Sequence, residues 1–301
     1  MTLSQAHKAT DKEIARMEKN IRAIYQRAAK EMEQKADEAF AEFARKDAIQ
    51  FARVTAGEIK QSEYLEWRER MLLNNSRFTR TTEQLTQMLV NADKVAIAYT
   101  NGQMAGIYAL NLNAVNTTIG NAVKGYSFEL VNPRVIKRLA TENPNLLPLK
   151  KVNEKKVVRW AGSKINKELT QGILQGEAIP KISKRLEKVT GMESRYAVTN
   201  ARTMCTSAEN KARLDGMEDA QEQGVIMVKE WMAVNDKRTR DSHADLDGTT
   251  AELDEPFKTM YGDTIMYPGD PDAEPAETYN CRCSIETRII GFRGSNGRFG
   301  A

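Results

Sequence analysis

Nine apolar side chains recur at steps of three and four near the start of the chain: Ile14, Met17, Ile21, Ile24, Ala28, Met32, Ala36, Ala39 and Phe43. Lys, Arg and Glu fill most of the positions between them. That period marks one stripe on a long α-helix. Such a helix cannot bury its stripe alone, so it must pack on another helix or on a partner protein. Thr10 and Glu13 have capping-box spacing and place the helix start there. With 41% hydrophobic, 29% charged and only 7% aromatic residues, the chain suits long solvated helices better than a compact all-β core.

More helix is expected from Ser62 to Leu89, anchored by Tyr64, Leu65, Trp67, Met71 and Leu72. A broken helix follows over 92–123, where Gly102, Gly106 and Gly120 interrupt the pattern. Residues 125–150 carry three prolines and read as a connector around one short helix. A helix spans 157–174; Gly176 ends it, and Pro180 suits the first turn of the next, which runs to Val189. Thr190 and Glu193 then open a third helix, with a stripe of Ala197, Ala201, Met204, Ala208 and Ala212 and a stop at Gly224. Cys205 lies beside that stripe and reads as a buried thiol acting as a small hydrophobe. After Gly224 the pattern changes: "VIMVKEWMAV" reads as a strand, turn formers dominate from Asn235, and "SIETRII" closes as another strand. The fold class expected is α+β, a long helical N-terminal arm or bundle followed by a small, loop-rich α+β C-terminal module. Its parts are an arm over 1–155, the module over 156–290 and a flexible basic tail over 291–301.

Several classes are disfavoured. The N-terminus lacks the apolar stretch of a signal peptide, and no apolar run is long enough for a membrane span. A formal charge of +4 permits weak nucleic-acid contact without arguing for it. Three cysteines cannot close a disulfide framework. Cys281 and Cys283, two apart on extended chain, are poorly placed for a relaxed disulfide, which favours a reducing compartment during synthesis.

The chemistry-bearing residues sit in "TRDSHADLDG", with one of two histidines, and "YNCRCS", with two of three cysteines. His243, Cys281 and Cys283 are zinc-type ligands, and a Cys-x-Cys pair can chelate. A closed structural site takes four ligands, though, and this chain is short of them. His7 lies in an N-terminus expected to fray, and Asp241 or Asp245 would have to complete the shell. Alternatively, His243 with Asp241, Asp245 or Asp247 makes an acid/base pair, and a cysteine makes a nucleophile. No phosphate-binding glycine loop has the required spacing. The preferred reading is that these residues pin loops. Asp236 and Asp241 accept backbone N–H groups, Arg238 and Arg240 pair with the acids of "DPDAEPAE", and Gly248 and Gly269 supply positive-φ turns. His243 is then a hydrogen-bonded core residue.

The order of these residues resembles a known family. Trp231, Asp236, Arg238, Thr239, Arg240, His243, Leu246, Gly248 and Phe257 match the first block of the phage Mu F-like minor head (head morphogenesis) family. Tyr267, Pro268, Gly269, Asp270, Pro271, Glu277, Asn280, Cys281, Arg282 and Cys283 match the second. Ala201, Arg202, Thr203, Asn210, Gly224 and Val225 fit the preceding helix, where Met204 replaces the family's acid. The resemblance implies a minor capsid protein of a tailed phage or prophage. It implies binding to the portal protein and inner capsid, and action in procapsid assembly, DNA packaging or DNA ejection. It places the chain in the virion, inside the head near the portal, after assembly in the host cytoplasm. Packaged DNA is a further, non-specific partner, through Arg288, Arg293 and Arg298; no membrane is. Some relatives add toxin or enzyme domains after the module; a chain ending soon after Cys283 is expected to carry none. The reading is therefore not an enzyme and no cofactor. The alternative is a zinc-binding or hydrolytic, nucleotide-modifying module centred on His243 and the Cys-x-Cys pair.

Overall fold

A computed structural model describes residues 1–73, 76–293 and 299–300. Seven helices come first: α1 (Leu3–Thr55), α2 (Gln61–Leu73), α3 (Ser76–Ala122), α4 (Pro133–Glu142), α5 (Glu154–Leu174), α6 (Ile179–Lys184) and α7 (Leu186–Glu222). The remainder is β1 (Val225–Met232), α8 (Asp241–Asp245), β2 (Thr250–Ala251), β3 (Phe257–Lys258), β4 (Thr264–Ile265), α9 (Pro275–Thr278), β5 (Ser284–Arg293) and β6 (Phe299–Gly300). The fold is α+β. Among the described residues, no helix is long and apolar enough to cross a membrane.

The chain forms two compact units, each assembled from separated stretches. One comprises Met1–Glu18, Tyr99–Lys150 and Val198–Ala301; the other comprises Lys19–Ala98 and Lys151–Ala197.

Several helix boundaries differ from those expected, for identifiable reasons. α1 starts at Leu3, because Thr2 and Gln5 cap it reciprocally: the Thr2 N–H donates to Gln5 Oε1 at 3.0 Å and the Gln5 N–H to Thr2 Oγ1 at 3.2 Å. Thr10 lies inside the helix instead, where its hydroxyl donates to the Ala6 carbonyl at 3.1 Å. Thr190 behaves likewise within α7, donating to the Leu186 carbonyl at 3.2 Å. A Thr-x-x-Glu pair thus carries two meanings, and tertiary packing chose the interior one. The expected 62–89 helix is divided between α2 and α3, and α3 runs unbroken through Gly102, Gly106 and Gly120. At Gly120 a Cβ would lie 2.5 Å from Phe128 Cε1, so this glycine admits an aromatic ring and breaks nothing.

The α1 stripe is covered by the chain's own residues. Met17, Ile21, Met32 and Ala36 are fully buried, and Tyr25, Ala29 and Phe40 join the buried face as the helix turns. In the second unit, Arg68 is a buried anchor. Its Nη1 donates to Asp47 Oδ2 at 2.8 Å and to the Tyr64 hydroxyl at 2.7 Å, and its Nη2 to the Glu177 carbonyl at 2.6 Å.

The first unit carries the sheets. A four-stranded antiparallel sheet has the order β2-β1-β5-β6, with Trp231 opposite Ile285 and Met232 opposite Ser284. β3 and β4 form a separate ribbon, pairing Phe257 with Ile265. Alternate residues of β1, namely Val225, Met227, Lys229 and Trp231, are buried, as a strand with one covered face requires. Leu3, Ala6, Ala114, Val115, Ile119, Leu214 and Met217 pack in the same core. Lys229 is the anomaly on that face. Its ammonium donates to the Leu253 carbonyl at 3.0 Å and sits 5.4 Å from the centre of the Phe257 ring, and burial lowers its pKa to about 8.

Candidate functional site

The sequence-predicted residues converge around Trp231. Its indole is fully buried, with the rings of His243 and Phe257 each 5.2 Å away in edge-on contact. His243 is presented by the short helix α8, and Cys281 and Cys283 by the segment that becomes β5. Asn280, at φ +58°, turns the chain just before the first cysteine. The cysteines, two apart, then face the same side. Cys281 Sγ lies 3.5 Å and Cys283 Sγ 3.6 Å from the same imidazole nitrogen, Nδ1 of His243. These three ligand atoms lie within 4.8 Å of one another, and the residues are 2%, 2% and 3% exposed.

The other nitrogen of His243 faces an acid that motif reading had not placed in the site. Glu277 Oε2 is 3.0 Å from Nε2, off the ideal hydrogen-bond direction, and accepts the Ser242 hydroxyl at 2.8 Å. A carboxylate there favours the tautomer protonated at Nε2, which turns the Nδ1 lone pair toward the sulfurs. The two thiols are unequal. Cys283 is shifted toward the thiolate chiefly by the hydrogen bond from Cys281, against the effect of burial, and the Trp231 indole N–H also faces its sulfur. Cys281 is shifted the other way, by the bond it donates to Cys283 and by burial.

The acids proposed as partners of His243 are elsewhere. Asp241 and Asp245 are exposed. Asp247 is a loop brace: its Oδ1 accepts the Ala233 N–H at 2.7 Å and its Oδ2 the Asn235 amide at 2.6 Å. Asp236 accepts the Arg238 N–H at 2.8 Å, as expected, and is gripped by Arg282 at 2.7 and 2.6 Å. That grip, helped by the Arg238 N–H, holds its carboxyl below the usual range. The expected pairing of Arg238 and Arg240 with "DPDAEPAE" gives way to other bonds. Arg240 donates to the Tyr279 carbonyl, and Arg238, itself exposed, contributes its backbone N–H. Gly248, at φ +75°, donates its N–H to the Trp231 carbonyl at 2.8 Å. His7 is ordered within α1, 2.8 Å from Glu209, and takes no part in the cluster.

A polar ladder on α7 holds these loops; Thr203 and Asn210 stand out in the sequence only as family matches, without this role. Thr203, Thr206, Asn210 and Arg213 fall on one face at steps of three and four. Thr203 Oγ1 accepts the Asn280 N–H at 3.2 Å, and the Thr206 hydroxyl donates to the Cys281 carbonyl at 2.9 Å. The Asn210 amide donates to the carbonyls of Pro268 at 3.1 Å and Cys283 at 3.3 Å, while its oxygen accepts the Ile285 N–H at 2.9 Å. Arg213 donates to the Ile285 carbonyl at 2.8 Å. Trp231, opposite Ile285, spends its own backbone groups on Thr249 and Gly248, so Ile285 turns to the helix instead. The "YPGDP" turn docks on the same helix. Tyr267 is buried, Asp270 Oδ2 accepts the Met266 N–H at 3.1 Å, and at Gly269 (φ +82°) a Cβ would lie 2.8 Å from the Ser207 backbone nitrogen.

A buried His-Cys-Cys cluster, an edge-packed tryptophan and a helix whose polar face holds the Cys-x-Cys loop together define the module. Residues 163–286 match the family described as Phage Mu protein F like protein. Among individual proteins, the chain is 32% identical over 169 residues to the Minor head protein GP7 of Bacillus phage SPP1, covering 56% of this chain and 54% of that one. It is 27% identical over 172 residues to the uncharacterized protein YqbB of Bacillus subtilis, covering 55% and 53%. It is also 29% identical over 128 residues to the NAD(+)--arginine ADP-ribosyltransferase EFV of Enterococcus faecalis, covering 42% of this chain and 26% of that one. The chain thus spans about half or less of each relative. No solved structure matches.

The EFV match corrects one expectation. The chain was read as not an enzyme because no catalytic motif was legible and the helix acid is Met204. A protein named as an enzyme is nevertheless 29% identical to this chain over 128 residues. A missing motif therefore does not exclude an enzyme here.

Proposed function

We propose that this chain is a minor head component of a tailed phage or prophage and acts in head morphogenesis. The observation that carries this reading is the 32% identity to a protein named as a minor head protein, together with the Mu F-like match over residues 163–286. In this proposal the chain joins the particle near the portal, with the portal and inner capsid as its partners, and serves assembly, packaging or ejection of DNA. The exposed Arg288 and the basic residues after it make a secondary, salt-sensitive DNA contact. Arg298 lies outside the described residues, as does most of the 291–301 tail.

The fold changes how portal docking is tested. The α1 stripe is buried within the chain and is not a free docking face. Residues 1–18 and 99–150 also belong to the same compact unit as 198–301, so removing the first 150 residues would dismantle the module. Deleting the whole gene from its phage or prophage is the cleaner experiment. The reading expects a loss of infectious particles or of DNA-filled heads, restored by the gene supplied in trans. Wild-type particle yield and infectivity from the deletion would contradict it.

A further inference from the structure

We infer that His243, Cys281 and Cys283 are three ligands of a divalent, thiolate-preferring metal ion, zinc by its chemistry. This does not depend on the head assignment; it rests on the geometry of the three side chains.

A tetrahedral zinc ion holds sulfur at about 2.3 Å and imidazole nitrogen at about 2.0–2.1 Å, which sets neighbouring sulfur and nitrogen atoms roughly 3.5 Å apart. Here the two sulfur–nitrogen separations are 3.5 and 3.6 Å, to one and the same nitrogen. A direct thiol–imidazole hydrogen bond satisfies one sulfur per lone pair, whereas both sulfurs converge on Nδ1. The backbone is built for that convergence: the Asn280 turn and the period of two aim both cysteines at His243, while Thr206 and Asn210 fix the cysteine carbonyls.

The surroundings match those of a ligating histidine. A metal-bound imidazole usually directs its second nitrogen to a carboxylate, which is itself hydrogen-bonded. Glu277 occupies that place at 3.0 Å from Nε2, steadied by the Ser242 hydroxyl at 2.8 Å. Charge also balances. Two thiolates neutralise a divalent ion, and Arg240, whose charge acts on Cys281, offsets Glu277. Among the described residues the ligand group stops at three, so a fourth ligand would be water or another small donor. Two thiolates with one imidazole favour zinc over the hard cations magnesium and calcium.

The test uses the full chain, purified without a histidine tag and analysed for metals. About one zinc per chain is expected. Replacing zinc with cobalt should give a thiolate-to-cobalt charge-transfer band and the intense visible bands of a tetrahedral ion. Cys281→Ser and Cys283→Ser should each lower metal content at least about tenfold, whereas Cys205→Ser, whose thiol lies 3.6 Å from the Met17 sulfur, should leave it unchanged. Glu277→Gln should keep the site but weaken it roughly 10–100-fold in chelator competition. If the cysteine variants do not fold, the cobalt spectrum of the unaltered chain decides alone. Folded chain holding less than roughly a tenth of an equivalent, and taking up neither zinc nor cobalt, would overturn the inference. So would a Cys281–Cys283 disulfide in the freshly isolated protein.

Discussion

Asn210→Ala tests whether α7 holds the Cys-x-Cys segment in place. The side chain is fully buried and links three places far apart in sequence: the Pro268 carbonyl, the Cys283 carbonyl and the Ile285 N–H. Alanine removes all three bonds. The Ile285 N–H suffers most, because its strand partner Trp231 bonds instead to Thr249 and Gly248. A buried backbone group left without a partner costs about 1–3 kcal/mol, and the two carbonyls less, since each has a second lone pair. The sum is about 3–5 kcal/mol, a large share of the roughly 5–15 kcal/mol that stabilises a typical domain. Urea unfolding followed by circular dichroism measures it, with Gln221→Ala, exposed on the same helix, as the control expected within about 0.5 kcal/mol. A loss below about 1 kcal/mol for Asn210→Ala would refute the ladder as the loop's anchor.

Gly269→Ala should cost about 2 kcal/mol or more, since φ is +82° and the new Cβ would press on Ser207 backbone; an unchanged urea midpoint would contradict that packing. Arg68→Ala should cost about 3–5 kcal/mol by leaving Asp47 buried without its cation, read by the same unfolding assay. Asp93 sets a pH dependence: burial raises its pKa from 3.8 to about 6, against the pull of the Tyr25 hydroxyl. Because the folded value exceeds the unfolded one, the folded state binds the proton more tightly. Stability then falls as pH rises through that interval and stays lower above it. Asp93→Asn should therefore stabilise at pH 8, by no more than about 3 kcal/mol, and change little at pH 4; equal effects at both would contradict the assignment. Glu193, raised to about 7 by burial and by Asp93, should move back toward its usual range in that variant, visible in its carbon-13 titration.

What the sequence made legible was the part governed by local period. The alternation from Val225 and the β-branched run near Ile289 marked β1 and β5, and the three-four spacing marked α1, α5 and α7. The family signature was also legible, because its residues cluster in two short blocks. Boundaries were not, because Thr10 and Thr190 return their hydroxyls to the preceding turn where a cap looked equally plausible. Nor was the ladder on α7, whose bonds reach across 58 to 77 residues and leave no local trace. Among the acids near His243 in sequence, none approaches it. Glu277 does, 34 residues on, because α9 brings it there. Its place in the second family block, four residues before Cys281, was the available hint.

The proposed function requires the chain to be built into a phage head. Quantitative mass spectrometry of purified procapsids and virions from the parent phage tests it most directly. The chain should co-purify with particles through gradient and salt washes, at far fewer copies than the major capsid protein. Its recovery only in the unassembled fraction of the lysate, with particles free of it at every stage, would contradict the claim.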